Sequence, residues 1–128
     1  MIHLNNIPKD KPVLILPNHQ NALLDALIIA VKGNRISYFL TRASAFHSPL
    51  IAKILKSYRM LPVYRIRDGI RTIKKNNEVF EACSELLNQN HSLVIFPEGN
   101  HNLKRTVRPL SKGFTRIVFD TLEKHPDL

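Results

Sequence analysis

A histidine and an acid interrupt the apolar runs near the start of the chain. In the segment "VLILPNHQNALLDALIIAV", which begins at Val13, His19 directly follows a strand-like run and Asp25 lies inside the next apolar run. A neutral imidazole can accept a proton near pH 7, and a carboxylate on its other ring nitrogen would orient it and stabilise its charged form. This pattern indicates a general base with its orienting acid. The same two residues also fit a structural histidine and an acid that favours a helix N-terminus.

An acid, a glycine and two cations stand near later apolar runs. Glu98 and Gly99 follow the run 92–96, Arg65 follows the run 60–64, and Lys112 lies at the start of the last helical pattern. A guanidinium fork suits a phosphate dianion, and a glycine lets backbone approach a ligand closely. The alternative is that Glu98 and Gly99 form only a turn and that the cations are solvated surface charges.

Short β-rich runs alternate with longer helical patterns along the chain. Strands are predicted at 12–16, 36–41, 60–64 and 92–96, and helices at 22–31, 49–57, 70–88 and 111–123. This alternation favours an α/β fold with a mostly parallel sheet flanked by helices. Because the carboxyl ends of such strands meet at one edge of the sheet, the candidate residues are expected to share one crevice.

Composition limits the class of protein. The 128 residues, 44% of them hydrophobic, suit a single domain spanning 1–128, and the single Cys83 rules out an internal disulfide and favours a reducing compartment. The apolar runs are too short to span a bilayer. A formal charge of +9 indicates an anionic partner, which could be a phosphate ester, an anionic membrane surface or nucleic acid.

Two partner classes are disfavoured by the pattern of side chains. The cations are not interleaved with aromatic residues in the manner of single-strand nucleic-acid binding, because Phe39, Phe80 and Phe96 fall on apolar faces. No histidine has metal-ligand spacing to the cysteine. We therefore predict neither a nucleic-acid partner nor a metal site.

Four blocks of the sequence resemble, in order, the motifs of the glycerolipid acyltransferase family, whose members include 1-acylglycerol-3-phosphate acyltransferases. "PNHQNALLD" resembles the Asn-His-x-x-x-x-Asp block and "MLPVYRIR" resembles the Gly-Ile-Pro-Val-x-Arg block. "IFPEGNH" resembles Phe-Pro-Glu-Gly-Thr-Arg, and "RPLSKGF" resembles the Lys-x-Gly block that follows it. The blocks run from Pro17 to Phe114 and so cover most of the chain. The family's later Val-Pro-Val strand block is absent, so the chain is expected to be the N-terminal catalytic portion of the domain.

The resemblance implies an O-acyltransferase of phospholipid biosynthesis. Such an enzyme moves a fatty acyl group from acyl-CoA or acyl carrier protein to a hydroxyl of a lysophospholipid or glycerol phosphate, without a cofactor and without an acyl-enzyme. It implies catalytic roles for His19 and Asp25 and substrate-binding roles for Arg65, Glu98, Gly99 and Lys112. It also implies a peripheral protein on the cytoplasmic face of a membrane. The alternative is a non-catalytic basic module that binds anionic membrane lipid.

The sequence departs from the family pattern at two places. Five residues separate His19 from Asp25 where the family usually has four, so the first helical turn must absorb one extra residue. His101 stands where the family has a phosphate-binding Arg, and Lys104 or Arg105 could substitute for it. Both departures concern the site rather than the fold.

Overall fold

A computed structural model describes residues 6–18, 23–33, 35–64, 69–99, 106 and 108–128 of the protein. Its strands are β1 (Val13–Ile15), β2 (Ser37–Arg42), β3 (Met60–Val63) and β4 (Ser92–Val94). Its α-helices are α1 (Leu23–Lys32), α2 (Pro49–Ser57), α3 (Ile70–Asn88) and α4 (Gly113–Lys124), and a short 3-10 helix at Ala43–Phe46 precedes α2. No helix within these described ranges is long and apolar enough to cross a membrane.

The four strands form one parallel sheet in the order β1-β4-β2-β3. β4 lies between β1 and β2, and all three of its residues are buried. The mostly parallel α/β sheet flanked by helices that the sequence predicts is therefore confirmed. Because the strands are parallel, the residues that follow them all leave the sheet at the same edge.

The two faces of the sheet carry different helices. Tyr38 and Leu40 of β2 pack with the cluster formed by α3 and α4, whereas Phe39 packs with Ile29 of α1. The chain moves across the sheet in one direction from β1 to β3 and returns from β3 to β4. Right-handed crossovers would place α1 and α2 on one face and α3 on the other. The packing of α1 and α3 against opposite faces agrees with this.

The core is centred on the α3–α4 face. Phe80, Cys83 and Leu87 of α3 recur at helical spacing and are buried against Leu93 of β4 and Ile117 of α4. At the surface between these two helices, Lys124 Nζ donates to Glu81 Oε1 at 2.8 Å. The proximity of Lys124 lowers the pKa of the Glu81 carboxyl. Such exposed pairs contribute little to stability.

Candidate active site

A tight turn follows β4 at the carboxyl edge of the sheet and carries Glu98. The amide of Gly99 donates to the carbonyl oxygen of Phe96 at 3.0 Å, which closes the turn over Pro97 and Glu98. Gly99 has a φ of +68°, a left-handed conformation that side chains disfavour. Pro97 is buried and Glu98 is half-buried, so the turn is fixed from below while the Glu98 carboxylate lies at the surface of the crevice.

Arg42, the last residue of β2, holds this turn from the neighbouring strand. Its Nη2 atom donates to the carbonyl oxygen of Gly99 at 2.7 Å. A charged donor on a carbonyl makes a stronger contact than a neutral one. Sequence reasoning missed Arg42 because its role depends on the β2–β4 pairing, which the one-dimensional pattern does not give.

The segment before α4 is tied to the same turn. The amide of Ser111 donates to the carbonyl oxygen of Pro97 at 2.7 Å, which places Lys112 beside the turn. The carbonyl of Lys112 accepts from the Thr115 hydroxyl at 2.7 Å and from the Arg116 amide at 3.3 Å, so the lysine stands at the start of α4. Its side chain is exposed and lines the crevice.

The end of β3 is fixed by a buried side chain of α3. The Asn76 amide accepts from the Tyr64 backbone N–H at 2.8 Å and donates to the Tyr64 carbonyl at 2.7 Å. Asn76 is only 6% exposed, so both of its polar groups are used inside the protein. The pair replaces the hydrogen bonds that a neighbouring strand would supply, and it fixes the direction in which the chain leaves β3.

A cavity of about 1410 Å³ runs over the carboxyl edge of the sheet and continues along both faces. Its polar part contains Arg42, Glu98, Gly99 and Lys112. Its walls are mainly apolar, with Phe39, Leu55, Met60 and Phe96 on the α1–α2 side and Leu40, Phe80 and Ile117 on the α3–α4 side. Pockets for small ligands usually measure about 300 to 1,000 Å³. This cavity can therefore take a larger, partly apolar molecule with an anionic end.

The structure brings three of the six predicted site residues together. Glu98, Gly99 and Lys112 line the cavity. Asp25 lies in the first turn of α1, is half-buried and has an interaction partner, and its neighbour Ala26 lines the cavity. His19 and Arg65 lie outside the described residues, as do His101, Lys104 and Arg105, so the geometry of the His19–Asp25 pair stays a prediction.

The reactivity of the cysteine and the grouping of potential metal ligands can be described for the residues that the structure covers. Burial raises the pKa of the Cys83 thiol to about 12, which keeps it protonated and unsuited to attack on a carbonyl. Within the described ranges, no three or more His, Cys, Asp and Glu side chains form a group that could hold a metal ion.

The carboxyl edge of the parallel sheet carries an acid, two cations and a large, mainly apolar cavity. This arrangement is that of a ligand-binding α/β domain. Residues 1–127 match the family model described as Acyltransferase, so the chain belongs to the acyltransferase family. This confirms the family predicted from the four sequence blocks and makes acyl transfer the general activity. No curated protein and no solved structure gives a significant match.

Proposed function

We propose that this chain is an O-acyltransferase of the 1-acylglycerol-3-phosphate acyltransferase type. It moves a fatty acyl group from the thioester of acyl-CoA or acyl carrier protein to a hydroxyl of a lysophospholipid or glycerol phosphate. The observation that carries the proposal is the cavity, because its polar edge at Glu98 and Lys112 continues into apolar walls. A lipid with a phosphate head and an acyl chain likewise has a charged end and an apolar end.

The proposed reaction needs one base and no covalent intermediate. The oxygen of the acceptor hydroxyl attacks the thioester carbonyl carbon while its proton passes to the imidazole of His19. Asp25 orients the imidazole and stabilises its charged form. The carbon–sulfur bond then breaks, and the leaving thiolate takes the proton from His19. General-base assistance of this kind contributes roughly 100-fold to 10,000-fold to the rate.

The substrate-binding residues have two roles in this proposal. Arg65 and Lys112 bind the acceptor phosphate, and Glu98 with the Gly99 backbone positions the acceptor. Support for the Glu98 role comes from the turn itself, which Arg42 and Ser111 both hold through backbone carbonyls. We further propose that the protein works as a peripheral protein on the cytoplasmic face of a membrane, where such acceptors reside.

The test is thiol release from acyl-CoA in the presence of lysophosphatidate. His19→Ala should lower kcat by a factor of 100 or more, and Asp25→Asn should lower it by a smaller factor. His47→Ala is the matched control, since His47 is exposed and lies between the 3-10 helix and α2. Full activity in the His19→Ala protein would contradict the mechanism.

A second function, a non-catalytic module that binds anionic lipid, is favoured by the charge of +9. The same variants separate the two functions. Under the enzymatic proposal, His19→Ala loses acyl transfer and keeps lipid binding. A wild-type protein that binds anionic lipid and releases no thiol with any acyl donor or acceptor would favour the module.

A further inference from the structure

The α1–α2 layer presents an unusual apolar surface. Among the described residues, fourteen large hydrophobic side chains are exposed, and half of them belong to these two short helices or directly follow them. They are Leu24, Leu27, Ile28, Val31, Leu50, Ile54 and Tyr58. The other seven are dispersed over the rest of the fold, so this concentration requires an explanation.

On α1 the exposed hydrophobic residues form a stripe directly opposite the packed side. Leu24, Leu27, Ile28 and Val31 follow the i, i+3, i+4, i+7 spacing of one helix face. Ile29 and Ala26 lie on the other side and pack against the sheet. An ordinary surface helix buries its single apolar face, whereas α1 has one apolar face in the core and another in water. Val31 is 75% exposed, so most of its side chain lies away from the core.

On α2 a second apolar strip is accompanied by basic side chains. Leu50, Ile54 and Tyr58 follow one another at four-residue spacing, with Leu50 70% and Tyr58 69% exposed. Lys53 and Lys56 are exposed on the same helix, which contains no acid. Tyrosine and lysine beside aliphatic residues form the composition of a surface that lies at a membrane–water boundary.

We propose that the outer surface of α1 and α2 docks on an anionic membrane, with the aliphatic side chains inserted among the acyl chains and the lysines against the headgroups. Charge complementarity selects this partner, because the two helices carry Lys32, Lys53 and Lys56 against one acid, Asp25, which is half-buried. The choice also rests on the proposed function, whose acceptors reside in bilayers. Both helices begin at the carboxyl edge of the sheet, so docking brings the cavity mouth close to the lipid.

Vesicle sedimentation tests the apolar half of the surface. Leu27→Glu and Ile54→Glu should each weaken binding to phosphatidylcholine vesicles that contain phosphatidylglycerol by roughly tenfold or more, since an inserted aliphatic side chain is lost. The matched control is Leu122→Glu on α4, because Leu122 is 46% exposed while Leu27 and Ile54 are 49% and 47% exposed. Equal weakening by the control would overturn the proposal.

Charge reversal tests the basic half. Lys53→Glu and Lys56→Glu should each weaken binding to the anionic vesicles by about fivefold or more. Lys74→Glu on α3 is the control, since Lys74 is exposed on the opposite side of the sheet. Unchanged binding in the α2 variants would overturn the proposal. Circular dichroism verifies that every variant folds.

Three further outcomes separate this surface from its alternatives. Thiol release with a water-soluble, short-chain acceptor should persist in the Leu27→Glu protein, because the variant leaves the crevice intact. A wild-type protein that binds vesicles through α1 and α2 but never transfers an acyl group supports the surface and contradicts the proposed function. A dimer in light scattering that Leu27→Glu converts to a monomer, with vesicle binding unchanged, would assign the surface to a second copy of the chain and overturn the membrane proposal.

Discussion

The Glu98 turn depends on the left-handed backbone of Gly99. An added Cβ at this position would meet nothing within 4 Å, so a substitution there tests the backbone conformation alone. Gly99→Ala should lower the free energy of unfolding by about 1 to 2 kcal/mol, the cost of placing an L residue in this region. Chemical denaturation of wild type and variant measures the difference.

Gly113 provides the control for this substitution. An added Cβ at Gly113 also meets nothing within 4 Å, but this glycine begins α4 without a positive φ. Gly113→Ala should therefore leave the free energy of unfolding unchanged or raise it by up to about 1 kcal/mol, because alanine favours helix. A destabilisation equal to that of Gly99→Ala would show that backbone conformation is not the cause at Gly99.

The phosphate contact is the residue-scale feature in which this sequence departs furthest from its family. His101 stands where the family motif has a permanently charged guanidinium. We predict that Arg65, which follows β3, carries the phosphate with support from Lys112. Arg65→Ala should raise the KM for lysophosphatidate roughly tenfold to a hundredfold or more, as expected for a lost charge-assisted contact of about 1.5 to 3 kcal/mol. The KM for acyl-CoA should change much less.

The outcome distinguishes among the basic residues. Unchanged acceptor kinetics in the Arg65→Ala protein would assign the phosphate to Lys104 or Arg105, or would indicate an acceptor without phosphate. Steady-state kinetics with a neutral lysolipid acceptor, run in parallel, separates these two cases.

At the scale of elements, most of the fold could be predicted because each helix and strand follows a local pattern. Helices α2 and α3 have the predicted bounds, and the four strands lie within one or two residues of the predicted ones. Ile73 is an apolar position of α3 that the structure leaves exposed. It shares the apolar spacing of Phe80 and Cys83 but is 41% exposed, since it lines the cavity rather than the core.

The contacts that shape the site could not be predicted in the same way. Arg42 contacts Gly99 across 57 positions of sequence, and Asn76 contacts Tyr64 from a different element. Their residue types fit many roles. The β2–β4 pairing brings Arg42 to Gly99, and the packing of α3 beside β3 brings Asn76 to Tyr64. The short 3-10 helix at Ala43–Phe46 was missed for a related reason, because it lacks the length that makes periodicity visible.

The link between α3 and β3 permits a prediction at this scale. Asn76→Ala would leave the N–H and the carbonyl of Tyr64 without their protein partner, and it should lower the free energy of unfolding by about 1 to 3 kcal/mol. Asn77→Ala is the matched control. Asn77 is the next residue of the same helix, is exposed, and accepts a hydrogen bond from Arg116 Nη2 at 2.9 Å.

Denaturation of both variants provides the measurement. The Asn77→Ala change should stay within about 0.5 kcal/mol, since exposed polar substitutions rarely exceed that value. If Asn76→Ala lowers the free energy of unfolding as little as Asn77→Ala does, water replaces the Asn76 contacts. The direction of the chain after β3 would then have another origin.

At the scale of the whole molecule, net charge and substrate charge are opposite. The chain carries a formal charge of +9, whereas the proposed acyl donor and acceptor both bear phosphate groups. Exposed Arg42 and Lys112 add positive charge at the mouth of the cavity, beside Glu98. A second described acid that lines the cavity, Asp120, forms an ion pair with Arg116. A field of this sign raises the local concentration of anionic substrates and speeds their encounter with the site.

Added salt should therefore lower kcat/KM for acyl-CoA and should hardly change kcat/KM for an uncharged donor. The Debye length falls from about 30 Å at 0.01 M salt to about 3 Å at 1 M, so added salt removes long-range attraction before it removes direct contacts. We expect kcat/KM for acyl-CoA to fall by roughly tenfold or more across this range. The kcat/KM for a neutral acyl-pantetheine thioester, with a neutral acceptor and the same acyl chain, should change little, because the apolar walls of the cavity do not depend on screening. Parallel losses for both donors would mean that salt perturbs the fold or the chemistry, and the basic surface would then have no part in substrate capture.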